Sequence, residues 1–262
     1  MIKVNNISYS IADTAILQDV SFSVAPGEML VILGGNGAGK STLLKAMCGD
    51  IYPQKGNISI QGKNIAEWKH NELASFRAVL QQQTLLSMPF TVSEVVMMGR
   101  YPHFNGKEQE IDHSIVKSAL KKTGVEHLAD RNYLYLSGGE QQRVHLARVF
   151  AQVWNAPGFD SRYLFMDEPI NSLDIRHQHT ALELARAFTQ GGNTVVAVLH
   201  DLNLAIQYAD KILLLKKGKI VAHGAPDEVI KAEVISEAYD YPLSIFKSQQ
   251  YQHPVVVPFI QP

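Results

Sequence analysis

At 262 residues with 46% hydrophobic content, the chain is long enough to bury a full core and to carry one large domain with a subdomain inserted in it. Its 24 Lys and Arg against 25 Asp and Glu give a formal charge of -1, which offers no basic field to nucleic acid and sets duplex binding aside. The single cysteine, Cys48, excludes a disulfide framework, while the lack of an N-terminal signal pattern and of any apolar run near the roughly 20 residues of a spanning helix predicts a cytoplasmic chain that meets a membrane only through a partner.

Residues 1 to 33 alternate apolar and polar positions (Ile2, Val4, Ile16, Phe22, Val24) and turn at Ala25-Pro26-Gly27, which predicts antiparallel strands flanking a buried strand at 29–33. Gly34-Gly35-Asn36-Gly37-Ala38-Gly39-Lys40-Ser41 follows at once and opens into Thr42-Leu43-Leu44-Lys45-Ala46-Met47, with a helix stop at Gly49. Glycine lets successive backbone N–H groups converge and a helix N-terminus adds its dipole, so this loop suits a nucleotide's β- and γ-phosphates. Its candidate contacts are Gly35, Asn36, Gly37, Ala38, Gly39, Lys40, Ser41 and Thr42, with Lys40 reaching the β/γ oxygens and the Ser41 hydroxyl on Mg²⁺. Cys48 falls where that helix packs and reads as a small buried hydrophobe.

Gly56 to Gly62 reads as a short strand, Glu67 to Phe76 as a polar helix, and Val79-Leu80 as the end of another strand before Gln81-Gln82-Gln83. From about 92 to 152 the spacing is helical, which predicts an inserted helical subdomain. Within it Ser137-Gly138-Gly139-Glu140 precedes Gln141-Gln142-Arg143, and Ser137 as a helix N-cap leaves a second glycine-rich anion site. Buried strands return at 163–166 and 194–199 around a helix at 176–190, which implies a parallel sheet covered on both faces. Asp167 and Glu168 end the first of these, where ligands bind in open α/β sheets: Asp167 suits the Mg²⁺ shell and Glu168 a water's proton. His200 ends the second and suits a γ-phosphate. A hairpin is predicted at 212–222, and the tail from 247 to 262 is weakly patterned. Two cradles in one chain either converge on one nucleotide or serve nucleotides shared with a second copy in a symmetric dimer.

In this order, over nearly its whole length, the chain resembles the ATP-binding subunits of ABC transporters. Leu136 to Arg143 is similar to the family signature, Met166-Asp167-Glu168-Pro169 to the Walker B strand with its catalytic glutamate, and Ser172-Leu173-Asp174 to the D-loop. His200 resembles the switch histidine. Gln82, counted back from Thr91-Val92 in a run of three glutamines, resembles the Q-loop glutamine that touches Mg²⁺. Tyr9 is the candidate for adenine stacking, with Ile11 in another register and a plain cross-strand packing role as alternatives. Ile170 stands where the family often has threonine. The signature lies farther from Asp167 than the family pattern, with Trp154-Asn155-Ala156-Pro157-Gly158-Phe159-Asp160 reading as an inserted loop.

The resemblance implies an α/β fold: a P-loop NTPase (RecA-like) core with a mainly parallel sheet and an N-terminal antiparallel β subdomain, spanning about 1–84 and 161–246. A helical subdomain at about 85–160 and a tail at 247–262 complete it. It also implies an ATPase using ATP and Mg²⁺, with Ser137, Gly138, Gly139, Glu140 and Asp174 serving the nucleotide of the opposite copy. Its partners would be that copy, two membrane permease subunits and, indirectly, a periplasmic substrate-binding protein, with no nucleic acid. The location implied is peripheral, on the cytoplasmic face of the inner membrane. Met98-Gly99-Arg100-Tyr101-Pro102-His103, His200 to Ala205 and Tyr208-Ala209-Asp210 resemble subunits that energise importers of iron siderophores, haem and vitamin B12. The 154–160 loop is similar to haem importers, which puts haemin first. His177 and His179, two apart on a helix, point to different faces and read as surface residues. The rivals are a soluble ABC ATPase such as a cluster-assembly protein and a metabolic P-loop kinase, which would have no use for Ser137 to Arg143.

Overall fold

The computed structural model describes residues 1–82, 86–104, 106–154, 161–247 and 253–259. Gln83, the 155–160 part of the inserted loop and the tail residues 248–252 and 260–262 lie outside the described residues. The described chain forms two compact units, residues 1–67 with 196–262 and residues 68–195.

In the first unit β1 (Ile2–Ile11) pairs antiparallel with β2 (Thr14–Val24), Ile2 opposite Val24 and Val4 opposite Phe22. Ile2, Val4 and Ile7 are buried while Lys3, Asn5 and Asn6 are exposed, as the alternation predicts for a sheet with one wet face. β3 (Met29–Gly34) is buried at every residue, the pattern of a strand covered on both sides. It delivers the chain into the glycine-rich loop and α1 (Lys40–Cys48), which stops at a left-handed Gly49 with Cys48 buried. β4 (Lys55–Ile60) pairs with the other edge of β1 and β5 (Lys63–Asn64) with β4, completing an antiparallel sheet in the order β2-β1-β4-β5.

The second unit opens with α2 (His70–Phe76) and β6 (Arg77–Leu80) and then turns helical, with α3 (Val92–Met97), a 3₁₀ turn at Met98–His103, α4 (Glu110–Lys122) and α5 (Gly138–Val153). Val92, Val96, Ile115, Leu120, Tyr133, Val144 and Ala147 form a common apolar core among these helices. The 98–103 turn ties it together. A Cβ on Gly99 would come within 2.2 Å of the Arg148 carbonyl oxygen, so only glycine fits. Buried Arg100 pairs with Asp112 at 3.0 Å and donates to the Ala151 carbonyl at 2.7 Å, and the His103 ring meets the Gln152 carbonyl at 2.7 Å. β7 (Tyr163–Asp167) then runs parallel to β6, and α6 (Ile175–Thr189) leads to β8 (Thr194–Val198), whose first two residues close this unit.

Back in the first unit come α7 (Leu202–Tyr208), β9 (Lys211–Lys216) and β10 (Lys219–Gly224). β9 runs parallel to β3, Leu30 opposite Lys211, and folds back on β10 as the predicted hairpin. Each unit thus holds a parallel strand pair, β3 with β9 and β6 with β7, as expected of a P-loop NTPase core, and the first adds the antiparallel sheet. α8 (Pro226–Val229), α9 (Ala232–Tyr239) and a hairpin of β11 (Leu243–Phe246) with β12 (Val255–Pro258) complete the chain. β12 arises within the stretch that reads as weakly patterned, because its residues are mostly half-buried and give no clean alternation. No helix among the described residues is long and apolar enough to cross a membrane.

Candidate nucleotide site

The phosphate loop is shaped by positions that only glycine satisfies. Gly34 has φ 146°, and a Cβ there would lie 2.2 Å from the Leu215 carbonyl oxygen; Gly39, the N-cap of α1, has φ 101°, and its Cβ would lie 2.8 Å from the Ile16 oxygen. The Lys40 ammonium is buried and donates to the carbonyls of Gly34 at 2.9 Å and Gly35 at 3.0 Å, which closes the loop on itself. Gly35 and Ala38 are joined by an N–H···O bond of 3.2 Å, Asn36 and Gly37 form the exposed rim, and Ser41 and Thr42 stand on the first turn. That turn carries no acidic side chain, so its N-terminal dipole is left to an incoming anion.

His200, exposed, follows β8 in the same unit. The Leu199 N–H donates to the Ile32 carbonyl at 3.3 Å, fixing the strand end, and Asp201 caps α7 by accepting from the N–H groups of Asn203 (2.7 Å) and Leu204 (3.0 Å). Tyr9 is half-buried opposite Leu17, a position open to cross-strand packing, while Ile11 nearer the turn is 58% exposed.

The second unit carries the carboxylates. Every residue of β7 is buried, and Asp167 is only 6% exposed at its end. Glu168 adopts φ 52°, left-handed backbone that a non-glycine residue occupies at a cost of about 1–2 kcal/mol. This turns its side chain off the strand direction. Its Oε2 accepts from Gln82 Nε2 at 2.6 Å and from Asn171 Nδ2 at 2.5 Å. Asn171 carries no motif and escapes the sequence. Ile170, in the place of the family threonine, is 5% exposed and packs inward.

Ser137 caps α5 as expected. Its hydroxyl accepts from the Glu140 N–H at 3.4 Å, and the Glu140 carboxylate accepts in return from the Ser137 hydroxyl (2.7 Å) and N–H (2.8 Å). The Ser137 hydroxyl and then its N–H hold the Glu140 carboxyl below the usual carboxylate range. Ser137 and Gly138 remain exposed, and a Cβ on Gly139 would press to 3.1 Å on the Ser172 oxygen, so the signature helix lies tight against the D-loop. Gln142 adds a bond to the Pro169 carbonyl at 3.0 Å. Asp174 caps α6, accepting from the N–H of His177 at 2.9 Å and meeting its ring Nδ1 at 2.7 Å; the backbone N–H is the main reason its carboxyl sits low. The other ring nitrogen of His177 is in close contact with the Arg143 guanidinium. His177, read from its spacing as a surface residue, is half-buried and bridges Asp174 and Arg143 of α5.

Thus the structure brings Gln82, Asp167, Glu168, Ser137 to Glu140 and Asp174 into one unit, and the phosphate loop, Tyr9 and His200 into the other. Among the described residues no cluster of three or more His, Cys, Asp or Glu side chains could hold a metal by itself. Besides Asn171, the sequence misses Tyr239, whose hydroxyl accepts from the Gly34 N–H at 3.2 Å, and Asn203, whose amide pairs with Val256.

Residues 17–171 match the family model described as ABC transporter. The chain belongs to the ABC transporter family. It is an ATP-hydrolysing transport subunit. Two relatives carry the name "Hemin import ATP-binding protein HmuV". That of Gloeobacter violaceus is 48% identical over 258 residues, covering 98% of this chain and 94% of its own. That of Pseudomonas putida is 41% identical over 257 residues, covering 98% and 99%. A solved transporter described as of the metal-chelate type, in an inward-facing conformation, matches with TM-score 0.83 and 27% identity over 99% of this chain and 97% of that one. The dimeric cassette MJ0796, bound to ADP and Pi after hydrolysis, matches with TM-score 0.76 and 26% identity over 86% and 99%. In this ABC transporter ATPase the segments that resemble the Walker B, Q-loop, signature and D-loop motifs lie in the second unit and the glycine-rich loop in the first.

Proposed function

We propose that this ATPase powers import of haemin, or of a related iron chelate, through a membrane permease. The observation that carries the substrate is the 48% identity, over 98% of the chain, to a protein named for haemin import. Siderophore and vitamin B12 import are the alternatives within the same group.

In this reading the loop N–H groups from Gly35 to Thr42 and the Lys40 ammonium grip the β- and γ-phosphates, and Tyr9 stacks on adenine. The Ser41 hydroxyl, the Asp167 carboxylate and the Gln82 amide oxygen are hard oxygen donors and fit Mg²⁺, which neutralises charge on the β- and γ-oxygens when bound. Glu168, held by Gln82 and Asn171, takes a proton from the attacking water as its oxygen bonds to the γ-phosphorus and the bond to the β-bridging oxygen breaks. His200 hydrogen-bonds the γ-phosphate and orients that water. ADP and phosphate are the products.

Ser137, Gly138, Gly139 and Glu140, with Asp174, complete the site of a second copy, so ATP draws two chains together and its cleavage leaves two anions that repel. Dimer closure is passed to two permease subunits through the surface around Gln82 to Arg100, and a periplasmic binding protein delivers cargo to them. The chain then works as a peripheral subunit on the cytoplasmic face of the inner membrane. Its RecA-like core with the antiparallel β subdomain spans about 1–84 and 161–246, and the helical subdomain about 85–160.

The test is ATP turnover by the complex in proteoliposomes with binding protein loaded with haemin, a ferric siderophore or cobalamin. Stimulation by haemin above the other two supports the proposal; stimulation by cobalamin or siderophore alone reassigns the cargo. Failure to co-purify with any multi-helix membrane protein would favour a soluble ABC ATPase.

A further inference from the structure

The chain after β10 is bonded to both ends of the first unit's phosphate-facing machinery. Asn203 sits in the first turn of α7, three residues after His200, and its amide pairs both ways with the backbone of one residue: Nδ2 donates to the Val256 carbonyl at 3.2 Å and Oδ1 accepts the Val256 N–H at 2.8 Å. Two bonds to one residue's backbone fix the rotation of the side chain as well as its distance. α7 is a helix of 7 residues, too short to hold its own start by propagation, so the Asp201 cap and this clasp set where it begins.

From Val256 the connection runs on. β12 is laddered to β11, Ile245 opposite Val256. The start of β11 is held to α9 by Ser236, whose hydroxyl accepts the Leu243 N–H at 2.9 Å and donates to the Leu243 carbonyl at 3.3 Å. α9 is pinned at its C-terminal end by the Lys216 ammonium, 2.5 Å from the Glu237 carbonyl and 2.6 Å from Asp240, charge placed where the helix dipole favours it. It ends on Tyr239, whose hydroxyl accepts the Gly34 N–H at 3.2 Å. Burial pushes the Tyr239 hydroxyl up to about 12, with the Asp201 carboxylate adding to the shift, so it stays a neutral phenol at working pH. Every link lies in one unit.

We infer that Asn203 and Tyr239 are positioning residues for ATP hydrolysis: through them the C-terminal segment holds the His200 turn and the mouth of the phosphate loop in register. The inference rests on the reading of His200 as the group that meets the γ-phosphate. In this route Asn203 acts through His200 and Tyr239 through Gly34. A displacement of about 1 Å at a catalytic group is enough to cost up to a hundredfold in rate, while nucleotide affinity, set by the loop itself, is left to Tyr239.

The test measures kcat, ATP KM and melting temperature of the full transporter carrying Asn203→Ala, Asn203→Asp, Tyr239→Phe and His200→Ala, and of Asn203→Ala combined with His200→Ala. Asn203→Ala is expected to lower kcat roughly tenfold or more with ATP KM within about twofold of wild type and melting unchanged. Asn203→Asp, which keeps the acceptor for the Val256 N–H, falls between. On the His200→Ala background the Asn203 change costs nothing further. Tyr239→Phe raises ATP KM more than it lowers kcat. Wild-type kcat in Asn203→Ala, or an equal fold-loss on both backgrounds, would overturn the inference. Wild-type turnover in His200→Ala would instead overturn the reading of His200 and, with it, the route proposed for Asn203.

Discussion

Gln82 and Glu168, 86 residues apart in the chain, meet through an amide-to-carboxylate bond of 2.6 Å, and Asn171 grips the same carboxylate oxygen from the following turn. Two donors on Oε2 hold the carboxylate in place, and Glu168 itself has a left-handed backbone, φ 52°. Asn171→Ala removes one grip and leaves the chemistry of the carboxylate alone. It is expected to lower kcat roughly tenfold with little change in ATP KM, the pattern of a lost orienting contact, read in steady-state phosphate release. A kcat equal to wild type would show that Gln82 suffices.

Glu168→Gln keeps the size and the contacts to Gln82 and Asn171 but removes the proton acceptor. Turnover is expected to fall by at least roughly a hundredfold while nucleotide binding persists, in keeping with the worth of general bases. Equilibrium binding of a fluorescent ATP analogue beside single-turnover hydrolysis checks both halves; normal hydrolysis would remove Glu168 from the base role.

The Arg100–Asp112 pair is buried on both sides, with side chains 3% and 4% exposed. Arg100→Met leaves the buried Asp112 carboxylate with only the Gln109 N–H, at 3.0 Å, to offset its charge, and is expected to cost about 3 kcal/mol in denaturant unfolding. Replacing Asp112 by Leu in the same chain should restore much of that loss. The lesson for function is that a turn whose sequence points to a transport group serves, in the folded chain, to lock α4 and α5 together.

His103 and His223 both titrate below their ordinary 6.5, burial being the first cause in each. The unfolded chain therefore takes up protons at a higher pH than the folded one, and between the two values stability rises with pH. Stability is expected to fall as pH drops from about 6.5 through the folded values, with urea midpoints at pH 7.5, 6.5 and 5.5 as the measurement. His103→Gln, which can still meet the Gln152 carbonyl, should make the fall shallower; a midpoint that rises toward pH 5.5 would contradict the assignment.

What was legible in the sequence was local. Gly34 and Gly39 announce a backbone that no other residue tolerates, the apolar run Tyr163 to Met166 of β7 announces burial, and Ser137 with Glu140 three residues on announces a helix start. What was not legible depends on single polar side chains whose partners lie far away. Tyr239 finds Gly34 across 205 residues and Asn203 finds Val256 across 53, and nothing in the neighbours of either position encodes that meeting. His177 escapes for a related reason: helical spacing tells which face a residue occupies and not what stands opposite, here Arg143.

The two cradles, one at Lys40 and one at Ser137, make sense together if each chain completes the other's site, and this is open to a direct measurement. In the Glu168→Gln protein, with the buried Cys48 changed to Ser, cysteines replace exposed Asn36 and exposed Ser137 and the protein is crosslinked with and without MgATP. An intermolecular bridge between position 36 of one copy and position 137 of the other, formed only with ATP, is the expected result. ATP bound by the same protein with no bridge between copies would contradict the shared site.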